Sequence, residues 1–231
     1  MIGRLAVAAV ALAAIATPFA LDRAFPPDLT RLNAAGVEVL DREGRTLSVL
    51  PAPGGYWRLR TMPADVAPQL VDLLIASEDR RFRSHPGVDP LALLRAAAQW
   101  IRAGRVVSGG STLTMQAARL LEPRPRTLRS KVIEIFRAFQ LEARFSKDEI
   151  LGIWLTLAPQ GGNIEGIRAG SLTWFGRPAT QLDTAESALL VALARRPNAL
   201  RPDRHPAAAR AARDGPLPRG ATSRTARPRR T

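Results

Sequence analysis

Two adjacent carboxylates, Glu78 and Asp79, close an apolar run, L-V-D-L-L-I (Leu70 to Ile75), within the stretch A-S-E-D-R-R-F-R-S-H-P-G from Ala76 to Gly87. Phe82 follows Glu78 by four residues and His85, one of two histidines in the chain, by seven. An acid leaving an apolar helix is partly desolvated, which keeps a carboxylate basic enough to take a proton near neutral pH. Taken alone, an E-D pair reads equally as a helix terminus with solvated charges. The chemistry therefore depends on partners further along the chain.

A second acid, Glu134, lies in L-R-S-K-V-I-E (Leu128 to Glu134). At about 100° per residue, Leu128, Val132, Ile135 and Phe139 share one helix face, with Leu141 and Phe145 roughly opposite. A helix apolar on more than one side is expected to be buried, which would place Glu134 in surroundings of low polarity. Lys131, one turn back, is its charge partner; a purely structural i, i+3 salt bridge is the alternative. Glu142 is the rival acid on the same helix. Between the two acids, S-G-G-S-T-L-T-M-Q (Ser108 to Gln116) sets glycines, hydroxyls and an amide at a helix start, where backbone N–H groups suit an anion such as phosphate. An ordinary capped helix after a loop is the other reading. Ser111 with His85 and Asp89 makes a nucleophilic triad only on paper, because no G-x-S-x-G elbow surrounds the serine.

Helices must do most of the positioning. G-V-E-V-L-D-R-E-G-R-T-L-S-V-L (Gly36 to Leu50) alternates apolar and polar about D-R-E-G and predicts a β-hairpin. From Pro63 onward the pattern is helical. Asp89-Pro90 caps a helix that stops at Gly104, and Ser111 is the expected cap of the next. Thr127 opens the helix from Leu128 to Phe145. Ser146 with Glu149, and Asp183 with Glu186, form capping boxes ahead of I-L-G-I-W-L and S-A-L-L-V-A-L-A, with the glycine-rich turn Q-G-G-N (Gln160 to Asn163) between them.

The 231 residues suffice for one sizeable domain with appendages. Without cysteine there are no disulfides, thiolate zinc sites or cysteine nucleophiles, and two histidines exclude a histidine-rich metal centre. The net charge of +14 suggests a polyanion, but half of it sits in the last 31 residues, where nine arginines face two aspartates. A single tyrosine and no aromatic–basic interleaving argue against a nucleic-acid platform. Leu5 to Leu21 is uncharged and, at 17 residues, near the lower limit for a bilayer span. An uncleaved anchor with the bulk of the chain outside the cytoplasm is the expectation, and a cleaved signal peptide the alternative. Residues 1–24 then form the anchor, 25–213 the folded domain, and 214–231 a disordered Arg/Pro-rich tail.

In order and at matching spacing, E-D-R-R-F-R-S-H-P-G, G-G-S-T-L-T-M-Q, L-R-S-K-V-I-E, S-K-D-E-I-L-G-I-W-L and E-S-A-L-L-V-A-L resemble the five blocks of the peptidoglycan glycosyltransferase domain (glycosyltransferase family 51) of class A penicillin-binding proteins. L-A-P-x-G-G-N-I-E-G and the methionine of T-M-Q are most similar to the penicillin-binding protein 1C branch. The resemblance covers roughly residues 33–213. It implies a mainly α, lysozyme-like fold with the small hairpin and an N-terminal transmembrane helix. It also implies an inner-membrane, single-pass location with a periplasmic catalytic domain, and polymerisation of lipid II onto a nascent glycan strand with loss of undecaprenyl pyrophosphate. Glu78 matches the general base, and Asp79, Phe82 and His85 the rest of the first block. Ser111, Thr112, Gln116 and Arg119 match the donor-contacting second block. Lys131 and Glu134 match the third, where the acid assists diphosphate departure directly or through a divalent cation, magnesium or manganese; no cofactor is required outright. Membrane lipid and cell-wall synthesis proteins are the implied partners, and nucleic acid is not.

Ser130 stands where the third block usually carries arginine. Trp154-Leu155-Thr156 replaces Y-L-N in the fourth, and Gln160 an aromatic. No S-x-x-K of a transpeptidase occurs. A truncated, inactive remnant that binds lipid II or cell-wall partners without turnover is the alternative from another class, and a lysozyme-like hydrolase with Glu78 as acid is a second.

Overall fold

The structure is a computed structural model that describes residues 17, 19–104 and 110–214. The apolar run Leu5 to Leu21 lies largely outside these residues, as does the tail beyond Asp214. Among the described residues no helix is long and apolar enough to cross a membrane.

The hairpin forms where the alternation predicts it. Strands β1 (Val37–Leu40) and β2 (Thr46–Leu50) pair antiparallel, Val37 opposite Leu50, with a bulge after Val39. Its apolar side chains stay at the surface: Val37, Leu47 and Leu50 are exposed. A second, smaller sheet has the order β3 (Trp57–Arg58), β5 (Ile164–Glu165), β4 (Pro159–Gly161). Strands of two and three residues carry no readable period, which is why alternation does not predict them.

The remainder is helical: α1 (Pro68–Glu78), α2 (Pro90–Ala103), α3 (Leu113–Leu121), α4 (Leu128–Arg144), α5 (Lys147–Leu157), α6 (Ile167–Phe175), α7 (Thr184–Arg195) and α8 (Pro206–Arg213). Helix α5 is the centre of the core, since every residue from Ile150 to Leu157 is buried. A helix apolar all round has nowhere to sit but inside. Leu70 and Leu74 of α1, Leu113 and Leu121 of α3, and Leu190 and Leu193 of α7 join it in one cluster. Both expected capping boxes close, Ser146 with Glu149 and Asp183 with Glu186.

Two local expectations are corrected. Thr112, not Ser111, caps α3 by accepting from the Met115 N–H at 3.2 Å, which leaves the Ser111 hydroxyl free for another partner. Helix α4 is buried through Glu134, Ala138 and Leu141, whereas Leu128 is 88 % exposed and Val132 and Phe139 are exposed too. Periodicity identifies an apolar face but not what covers it.

The N-terminal segment is strapped onto this body. Residues 19–24 are helical, and Asp22 accepts from Gln140 and Arg144 of α4, each at 2.7 Å. Further on, buried Arg58 donates to Glu165 (Nε to Oε2, 2.8 Å) and to the carbonyls of Arg31 and Ala34. Arg31 reaches the other oxygen of Glu165 at 2.6 Å.

Candidate active site

Glu78 is the last residue of α1, and the backbone turns away at Asp79, whose N–H still bonds to the Ile75 carbonyl at 2.9 Å. The helix thus delivers the Glu78 carboxylate to the wall of a cavity of about 1170 Å³ and of a smaller neighbour of about 340 Å³. Its Oε2 accepts from Gln116 Nε2 of α3 at 3.0 Å, and its Oε1 from Arg195 Nε at the end of α7. Gln116 is itself held, because the Trp154 indole N–H of α5 donates to its Oε1 at 3.1 Å.

Asp79 points the other way and is buried. It accepts from the Leu113 N–H at 2.9 Å and faces His85 Nε2 at 3.0 Å. The pair ties the end of α1 to the start of α3. Phe82 is fully buried, and the ammonium of Lys147 lies 4.6 Å above its ring centre. Lys147 also donates to the His85 carbonyl at 2.6 Å and to Glu142 at 2.7 Å, and Glu142 accepts from Thr114 as well. The rival acid Glu142 is therefore spent in a structural network and lines neither cavity. Phe82 and His85 are likewise on neither wall; they brace the segment from behind. Gly87 has φ +88°, and a Cβ there would stand 3.0 Å from the Ala138 carbonyl oxygen, so α4 can approach this closely only beside glycine.

The large cavity brings Glu78 and Glu134 onto one surface together with Ser111, Gln116, Arg119 and Lys131. Thr112 lies on the wall of the smaller one, its hydroxyl donated to the Gly87 carbonyl. Glu134 is 8 % exposed and lies 3.3 Å from Lys131 Nζ and 3.7 Å from Arg119 Nη1. Lys131 also donates to Ser111 Oγ at 2.6 Å. Burial pushes the Lys131 ammonium below its ordinary value of 10.5 and Arg119 adds to that, while Glu134 pulls the other way. Arg95, Arg126 and Arg195 complete five cations around two carboxylates. That field suits a polyanion such as a diphosphate.

The donor set does not fit a resident divalent cation. Among the described residues no three His, Asp or Glu side chains gather. Glu134 already faces Lys131 and Arg119, and Glu78 already faces Gln116 and Arg195, whereas a hard cation needs several oxygens turned toward it.

Three replacements noted in the sequence have defined places. Ser130 bonds Thr127 Oγ1 across 2.9 Å, and Arg126 lines the same cavity. Thr156 is fully buried and bonds both backbone groups of Thr61. Trp154 holds Gln116. Arg95, Arg126 and Arg195 are cavity residues that sequence reasoning missed, and Trp154 stands there only as a replacement, with no site role. Arg195 lies two residues beyond the last quoted block and reads as an ordinary basic helix end; Trp154 reads as core.

The family described as Transglycosylase matches residues 45–218. Penicillin-binding protein 1C of Escherichia coli K12 is 44% identical over 198 residues, which is 86% of this chain and 26% of that protein. Penicillin-binding protein 1A of Aquifex aeolicus is 36% identical over 171 residues, 73% of this chain and 23% of its own. Penicillin-binding protein 1B of Vibrio cholerae is 41% identical over 150 residues, 63% and 19% respectively. The chain spans about a quarter of the length of the curated relatives it matches.

Proposed function

Because the chain belongs to the transglycosylase family, we propose that it is a peptidoglycan glycosyltransferase, polymerising lipid II into glycan strands with release of undecaprenyl pyrophosphate. The observation that carries this reading is the single cavity with Glu78 at one place, Glu134 at another, and five cations between and around them.

Glu78 takes the proton of the acceptor sugar's 4-hydroxyl. The freed oxygen bonds to the anomeric carbon of the donor, and the carbon–oxygen bond to the diphosphate breaks with its electron pair on the departing group. Lys131 and Arg119 receive that charge, and Glu134 keeps the two cations side by side. This is the two-carboxylate logic of glycoside hydrolysis with a sugar hydroxyl in place of water.

A membrane location follows from a lipid-borne substrate. It is supported by the uncharged run from Leu5 to Leu21 and by Leu128, exposed on the rim of the cavity, with Val132 one turn further along α4. Leu91, Leu94 and Ile101 of α2 are exposed as well. We place the folded domain on the periplasmic side, held by an anchor in residues 1–24.

The test is lipid II polymerisation by the detergent-solubilised protein beside its Glu78→Gln variant, read as glycan ladders. Ladders that vanish in the variant support transferase and base together, and ladders that persist overturn the base assignment. Labelled lipid II that binds and is never polymerised would mark a lipid II-binding protein, the reading that the Ser130 and Thr156 replacements favour.

A further inference from the structure

Glu78 has partners on both oxygens, and they differ in kind. Arg195 is half exposed at the cavity mouth, with a side-chain exposure of 53 %. Gln116 is fixed from behind by Trp154, which is 3 % exposed and packed in the core. An indole N–H can only donate, and a carboxylate ionised to act as a base can only accept. A carboxamide between them has a single orientation that satisfies both: oxygen toward Trp154, amino group toward Glu78. The distances of 3.1 and 3.0 Å are those of two made bonds.

We propose that Trp154 is a positioning residue for the transfer, acting through Gln116 to aim and hold the Glu78 carboxylate as a proton acceptor. Without the indole N–H the amide is free to turn over, setting its oxygen against the carboxylate, and Glu78 loses the donor that fixes its rotamer. Trp154 moves no proton itself. The direction of every hydrogen bond in the relay runs from the core toward Glu78, so the relay holds the carboxylate in one side-chain position. The proposal rests on Glu78 as the base.

The experiment combines Trp154→Phe, Gln116→Leu and the double variant in lipid II turnover, with thermal unfolding measured on each. Trp154→Phe is expected to lower kcat about fivefold, the rate equivalent of one hydrogen bond, and to leave KM for lipid II within about twofold. In the Gln116→Leu background the same change should have no further effect on kcat, whereas a loss of packing alone would multiply through. A kcat unchanged in Trp154→Phe, or losses that multiply, overturns the proposal. A readout without turnover is the Trp154 indole proton in the NMR spectrum, assigned by its disappearance in Trp154→Phe. It should move upfield and exchange faster in Gln116→Leu, and an unmoved resonance overturns the relay even where a variant folds poorly. Full activity in Glu78→Gln would bring down the base assignment. An inactive Glu78→Gln beside a fully active Trp154→Phe would bring down the relay alone.

Discussion

Glu78→Gln keeps the shape of the side chain and removes the proposed proton acceptor, so the proposed polymerisation of lipid II should fall by about a hundredfold or more while the helical fold persists, checked by glycan ladders and circular dichroism. Lys131 gives a pH prediction. Its ammonium lies below 10.5 through burial, reinforced by Arg119 and opposed by Glu134, so its charge is lost at lower pH than that of an ordinary lysine. The alkaline limb of kcat/KM for lipid II should therefore lie below 10.5, and Lys131→Arg should move it upward, since a guanidinium stays charged. The linkage has the matching sign: the folded state holds this proton less tightly than the unfolded chain, so between the two pKa values this group makes stability rise with pH.

Helix α3 joins most of the machinery, and its start is fixed by Thr112, which caps the Met115 N–H and donates to the Gly87 carbonyl. Thr112→Val keeps the volume and loses both bonds. It should cost about 1–2 kcal/mol in thermal unfolding, more than an exposed cap because the site is buried. Helix α4 carries the opposite kind of surface. Leu128 and Val132 are exposed, so Leu128→Asp with Val132→Asp should leave the unfolding midpoint nearly unchanged. If that face meets lipid, the same double variant, made without residues 1–18 so that the proposed anchor does not hold it, should float poorly with vesicles beside the equally shortened parent, and undiminished flotation would assign lipid contact elsewhere.

Across the whole molecule, the N-terminal segment is bound to the helical body by Asp22 on α4 and by a buried ionic knot in which Arg58 and Arg31 share Glu165. Removing Arg58 leaves Arg31 on one oxygen of Glu165 but strips the other oxygen and the carbonyls of Arg31 and Ala34 of their buried donor. Arg58→Met should destabilise the protein by about 3 kcal/mol or more, read as a lowered denaturation midpoint; a loss under about 1 kcal/mol would mean that water reaches Glu165. The knot lies on β3 and β5, the sheet that ties residues near the hairpin to the turn after α5. Stability here and the shape of the cavity wall at Pro159 are thus properties of one small sheet.

What the sequence determined by itself was local in origin. The capping boxes at Ser146 and Asp183, the hairpin around D-R-E-G and the apolar run I-L-G-I-W-L of α5 follow from side chains within a few residues of one another, and hydrophobic period and cap chemistry are written at that range. The pairing of Lys131 with Glu134 also lies within one helical turn. The tertiary structure decided what depended on distant partners. It spent Glu142 on Lys147 and Thr114, turned Asp79 and His85 inward beneath α3, and brought Arg195, 117 positions away, onto Glu78. It also left the Leu128 face of α4 uncovered. No local pattern encodes these outcomes, because a carboxylate's role is set by which donors the packing of other helices brings within about 3 Å.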